Sequence, residues 1–196
     1  SAASDVYKRQ QRNVDSEDPT QEDLYQMGIV ADIKQVVRLQ NDVVRILVDG
    51  ISRAALLGFT GNEKYLEAEI CYCDSNADSL PEDLREAMLL GVREAFHRYA
   101  AVVGKISKEL IRQIDQYEDL EKLIDYVTNN LPVSYELKQQ VLEAEDINDR
   151  YQVIVSLLLS QVEIISIKNE LQKKVKVRVD TVSYTHLRAH ETAANL

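Results

Sequence analysis

From Asp146 to Asp180 the chain carries neither glycine nor proline, and its apolar residues recur at helical spacing. A helix over that run exceeds the mean globular helix of about 11–12 residues several-fold. Asp146 stands at its start as a cap. Up to Ile167 the apolar face is broad, with Ile147, Tyr151, Ile154, Leu158, Val162 and Ile165, and such width means packing against other helices. Beyond Ile167 the stripe thins to Leu171, Val175 and Val179 among Lys168, Lys173, Lys174, Lys176 and Arg178. Thin stripes between charges belong to a projecting or coiled-coil helix, and the basic run reads as a solvated face. The most apolar stretch, Tyr151 to Ile167, contains Gln161 and Glu163, and is expected to fall short of a membrane span.

Helical spacing also governs the stretch before it. Ser79 and Glu82 have the spacing of a capping box, with Pro81 in the first turn. Leu84, Met88, Val92, Ala95, Tyr99 and Val102 then share one face. Gly104 ends this helix and Ser107 caps the next, which carries Leu110, Ile111 and Ile114. A third helix buries Leu120, Leu123, Ile124, Val127 and Leu131 and stops before Pro132. Ser134 opens a short fourth with Leu137, Val141 and Leu142.

Residues 25–73 follow a different rule. Ile29 to Ile33 with Val36-Val37, and Val43 to Val48 after the turn-like Gln40-Asn41-Asp42, predict a hairpin of β-branched strands. A third strand over about Tyr65 to Cys73 follows the turn-like Gly58-Phe59-Thr60-Gly61-Asn62. Tyr65, Glu67 and Glu69 alternate there with Leu66, Ala68 and Ile70. Three strands make a poor core alone, so the β unit reads as incomplete. Unpaired edges and apolar side chains near Ile46, Val48 and Ile70 are expected to be exposed.

The net charge of -10 opposes a nucleic-acid partner. Catalytic and cofactor patterns are missing too. Gly104-Lys105 has Tyr99 where a phosphate loop needs glycine, and Ile follows the lysine. Cys71 and Cys73 with the lone mid-helix His97 do not supply a zinc set, and the two cysteines read as small apolar residues on a strand. No Gly-x-Ser-x-Gly elbow occurs. Catalytic, cofactor and metal residues are therefore expected to be none.

Four segments carry a family resemblance. Met27-Gly28-Ile29-Val30-Ala31-Asp32-Ile33 resembles the "G-T-x-A-x-I" strand of Lon proteases, and Val48-Asp49-Gly50-Ile51-Ser52-Arg53-Ala54 their "V-E-G-hydrophobic-x-R-A" segment. Leu131-Pro132-Val133 with Lys138 to Glu143 resembles their "L-P-hydrophobic…K-Q-x-hydrophobic-L-E". Asp146 to Asp180, with Arg150, Glu163 and Val175, resembles the long helix leading out of the N-terminal domain. The four stand in the family's order across about residues 20–180.

The resemblance implies an α+β fold: a small, incomplete PUA-like β unit followed by a helical bundle ending in a long projecting helix. It also implies a non-catalytic N-terminal region of an ATP-dependent Ser-Lys protease, in the cytoplasm and away from membranes. Such a region recognises unfolded or damaged proteins and supports a hexamer. ATP and Mg are expected for an ATPase module outside this sequence, and none here. The alternative is a stand-alone binding protein of the same domain type; an independent enzyme is the remotest reading.

The expected division is 11–75 for the truncated β subdomain and 76–180 for the bundle and start of the long helix. Residues 1–10 and 181–196 resemble translated sequencing-adapter read-through, and are expected to lie outside the fold. Leu57, Phe59, Tyr65 and Tyr99 are the expected substrate contacts, because a protein that selects damaged clients must read exposed apolar segments.

Overall fold

In the computed structural model four antiparallel strands lie in the order β1-β2-β3-β4. They are β1 (Asp5–Lys8), β2 (Met27–Arg38), β3 (Val44–Thr60) and β4 (Glu67–Tyr72). Five α-helices follow among the described residues: α1 (Glu82–Val103), α2 (Lys108–Gln116), α3 (Leu120–Asn130), α4 (Tyr135–Glu143) and α5 (Ile147–Ala193). The structure describes residues 5–13, 15, 20–40, 43–60, 67–74 and 76–193, with the backbone alone for Asp5 and for 177–193. The fold is α+β.

Two compact units share this chain, and both are discontinuous in sequence. The first comprises residues 1–80 and 131–153; the second comprises 81–130 and 154–196. The division at 75/76 expected from composition therefore differs from the observed one, which places α4 and the first turns of α5 with the sheet. The reason is a set of contacts over long sequence separations. The Arg53 guanidinium on β3 is buried and donates to the carbonyl oxygens of Leu142 at 3.1 Å, Ala144 at 2.7 Å and Glu145 at 3.3 Å. These oxygens stand at the end of α4, where carbonyls lose their intrahelical partners and the helix dipole favours a cation. Gln139 Nε2 of α4 also donates to Met27 O at 3.1 Å.

Residues 5–8 correct a second expectation. They form the edge strand β1, pairing Asp5↔Asp32 through Lys8↔Ile29, rather than lying outside the fold. Tyr7 seals the join: its hydroxyl donates to Ala54 O at 2.9 Å, and burial pushes its phenol pKa up. Four residues flanked by polar ones carry too little alternation for a strand to be read from sequence. Gly28 lies opposite this strand, and a Cβ there would meet Lys8 O at 2.4 Å and Arg9 Cγ at 2.8 Å. Gly28→Ala is expected to destabilise the sheet unit by about 1–3 kcal/mol, the usual cost of overpacking. Chemical denaturation checks this, and an unchanged midpoint would count against it.

Gly58 likewise corrects the turn expected at 58–62. It sits inside β3 next to a register shift between Leu56 and Gly58, the place where a strand glycine commonly marks a bulge. β3 therefore runs on to Thr60. The capping box expected at Ser79/Glu82 does not form: Ser79 Oγ donates to Asn76 O at 2.6 Å, and Pro81 takes the cap position of α1. Asn76, at φ 58, opens a short 3-10 turn over Ala77–Ser79 that claims Ser79.

In the second unit the local signals are realised. Gly104 caps α1 at φ 69, the left-handed conformation for which glycine is the default residue. Ser107 Oγ accepts from Leu110 N at 3.2 Å at the start of α2. Met88, Val92, Ala95, Phe96 and Tyr99 of α1, Ile114 of α2 and Leu120, Leu123, Ile124 and Val127 of α3 are buried, as are Ile154, Leu157 and Leu158 of α5. Helix α5 starts at the Asp146 cap, whose Oδ1 accepts from Asp149 N at 2.9 Å. It continues through Ala193, beyond the end expected near Asp180.

The segment Ile147–Lys176 of α5 is long and apolar enough, by length and composition, to cross a membrane. This overturns the expectation drawn from Tyr151–Ile167, which judged too short a window. Ile154, Leu157 and Leu158 are buried, but only 17% of the apolar window is.

Candidate functional site

Strands β2 and β3 outrun their neighbours. β1 pairs with β2 only at Ile29 to Asp32, and β4 pairs with β3 only from Ala54 to Thr60. The rest of the hairpin, Gln35↔Leu47, Val36↔Ile46, Val37↔Arg45 and Arg38↔Val44, is a two-stranded ribbon with no third strand among the described residues. A register shift between Ile33 and Gln35 marks its base. Paired residues of an antiparallel ladder share a face, and successive residues alternate. One face therefore carries Val36, Ile46 and Val44, and the other carries Val37 and Leu47.

Both faces are in solvent. Val36 is 54% exposed, Ile46 49% and Leu47 58%, with Leu39, Val43 and Val44 exposed beside them. Each face also carries one exposed arginine, Arg38 beside Val36 and Val44 and Arg45 beside Val37 and Leu47, and at the base Lys34 Nζ lies 2.6 Å from Asp32 Oδ2 and 3.8 Å from Asp49 Oδ2. The Asp32 hydrogen bond raises the Lys34 pKa. A two-stranded hairpin is marginal in water, and contiguous exposed apolar patches mark interaction surfaces. The chemistry open to the ribbon is the capture of apolar side chains and of extended backbone along its free edges.

The four expected contacts separate. Leu57 and Phe59 lie on β3 in the first unit, 60% and 39% exposed. Tyr99 belongs to the second unit and is 3% exposed, its ring 6.0 Å from that of Phe96. A buried core tyrosine cannot meet a client, and the burial that holds it there also raises its pKa. Tyr65 lies outside the described residues. The ribbon residues themselves were not among the expected contacts, although the sequence holds a signal for them. Val36-Val37, Val43-Val44 and Ile46-Leu47-Val48 place apolar residues consecutively, so both faces of each strand carry apolar side chains. No group of three or more His, Cys, Asp or Glu is placed to hold a metal among the described residues.

Comparison with known proteins fits this architecture. The family model of the ATP-dependent protease La (LON) substrate-binding domain matches residues 4–160. The chain belongs to that family. A Lon protease of Lachnoclostridium phytofermentans is 35% identical over 170 residues, covering 87% of this chain and 21% of that protein. A Lon protease of Clostridioides difficile is 30% identical over 180 residues, covering 90% and 23%. The chain thus spans less than a quarter of the length of these relatives, and no catalytic domain is evident in it. The N-terminal domain of Mycobacterium avium complex Lon protease shares the fold, with a TM-score of 0.60 over 71% of this chain and 73% of that one, at 19% identity. The chain is accordingly an N-terminal, substrate-binding-domain piece of Lon type.

Proposed function

We infer that this chain is the client-recognising region of an ATP-dependent Lon-type serine protease of the cytoplasm. It selects unfolded or damaged proteins and hands them to ATPase and peptidase modules elsewhere in the parent protein. The observation that carries this reading is the β2–β3 ribbon, which presents exposed apolar side chains on both faces, with one arginine on each, in a chain of the Lon substrate-binding family. Folded proteins hide the apolar segments such a ribbon can cover, so selection follows from exposure alone. Leu57 and Phe59 extend the client-contact surface along β3. The surplus of acidic residues adds a salt-sensitive preference for basic client segments and against nucleic acid. Assembly into a hexamer has its support in α5, where Ile164, Ile167, Leu171 and Val175 form an exposed stripe at spacings of three and four residues.

The test is a titration of the chain, without nucleotide, against a permanently unfolded protein and its folded counterpart. Binding to the unfolded form alone is expected. Val36→Ser and Leu47→Ser together are expected to weaken it about tenfold or more, since covering each half-exposed side chain contributes roughly 1 kcal/mol. Equal affinity for both forms, or an unaffected double variant, would sink the reading. The purified chain is expected to hydrolyse neither ATP nor peptide.

A further inference from the structure

One side-chain cluster in the first unit plays no part in the ribbon. Across the sheet, Met27 of β2 is in register with Ala55 of β3, and Ala55 with Cys71 of β4. Cys73 continues the ladder one pleat further, its N–H donating to Arg53 O at 3.1 Å. Residues two apart on a strand share a face. Met27, Ala55, Cys71 and Cys73 therefore stand on the same face, and the short Ala55 side chain leaves the methionine room to reach across.

The distances bear this out. Cys73 Sγ lies 3.7 Å from Met27 Sδ, and 3.7 Å from the Cys71 carbonyl oxygen. Three sulfurs held about 2.3 Å from one ion lie about 4 Å from each other, so the Cys73–Met27 pair already has that separation. Cys71 stands on the same face, opposite Ala55, with its Sγ 3.7 Å from Tyr72 O, and is the nearest further soft donor in the ladder. Both cysteines are free thiols, Cys71 exposed and Cys73 partly so, which leaves the cluster open to exchange with solvent.

An internal disulfide fits poorly. Strand geometry sets residues two apart at about 6.7 Å, with parallel Cβ vectors, whereas a disulfide needs its Cβ atoms about 3.5–4.5 Å apart. A bridging ion has no such requirement. The donor set, two thiols and a thioether, is soft and three-membered. Zinc takes four donors with nitrogen or oxygen welcome, while thiolate and thioether together select a monovalent copper-class cation.

We propose that Cys71, Cys73 and Met27 form a trigonal site for Cu(I) on the face of the β unit. Coordination displaces one proton from each thiol, the thioether donates a lone pair, and the oxidation state of the metal does not change. The site is independent of client recognition, since none of its residues lies in the ribbon or at Leu57 and Phe59.

The experiment is an anaerobic titration of the full chain with Cu(I) against a competing chromogenic Cu(I) chelator. One ion per chain is expected. Cys71→Ser and Cys73→Ser are expected to weaken binding at least about 100-fold and Met27→Leu about tenfold, because even changes outside the ligand shell cost roughly 10–100-fold. Met27→Leu is the deciding variant: affinity equal to the parent chain would reduce the site to a thiol pair and overturn the three-sulfur assignment. One ion per two chains, or a Cys73→Ser chain that binds as before, would overturn it as well. Circular dichroism of each variant separates lost binding from lost fold. Titration with unfolded protein, run in parallel, is expected to be unchanged.

Discussion

Replacing Arg53 with methionine is expected to destabilise the sheet unit by about 3 kcal/mol or more. The guanidinium satisfies three carbonyl oxygens at the end of α4. An unsatisfied buried carbonyl costs roughly 1–3 kcal/mol, and methionine fills the volume without offering a donor. Lysine restores the charge but not the fork, because a compact ammonium lacks the rigid spread of donors with which a guanidinium reaches several oxygens at once. Arg53→Lys is therefore expected to recover less than half of the loss. Hydrogen exchange at the amides of β2, β3 and α4 reads the effect where it arises. Protection in Arg53→Met within about 0.5 kcal/mol of the parent chain would show that water satisfies the α4 carbonyls instead.

The second large effect is expected in the other unit. Phe96 is buried on α1, in contact range of Tyr99 and among the largest fully buried side chains. Phe96→Ala removes a ring from a closely packed interior and leaves a cavity that helices close only in part, at a cost of about 3–5 kcal/mol. A shift of that size in the denaturation midpoint, with the protection of β2 and β3 amides retained, is the expected result. A loss below about 1 kcal/mol would mean that the site collapses around the missing ring.

These two residues also show what the sequence discloses and what it does not. Phe96 and its neighbours are legible because a helix declares its buried face through spacing alone, and Gly104, Ser107 and Asp146 mark helix ends by chemistry that acts within one turn. Arg53 is different. It stood within the segment resembling the Lon pattern, yet nothing local says that its partners lie at Leu142 to Glu145. That contact spans some ninety residues of chain, and with it goes the assignment of α4 to the sheet. Leu57 and Phe59 are exposed on β3, although large apolar side chains are more often buried. Tyr99 was misread because an aromatic residue on an apolar helix stripe looks the same in sequence whether it faces a core or a client. The ribbon was legible as a hairpin with exposed apolar side chains near Ile46, but not as a client contact, and its extent depends on where β1 and β4 stop.

Arg53 has a further consequence, for the order in which the protein can be made. The sheet unit is closed by residues 131–153, and the helical unit by residues from 154 on. Both closures draw on α5, so a nascent chain that has emerged only as far as Asn130 possesses neither unit entire. Its sheet lacks the carbonyls that Arg53 must meet, and its three helices lack Ile154, Leu157 and Leu158. Neither half can mature before the other on the ribosome by more than the time needed to synthesise the first turns of one helix. A premature stop between 131 and 153 would therefore leave both units incomplete.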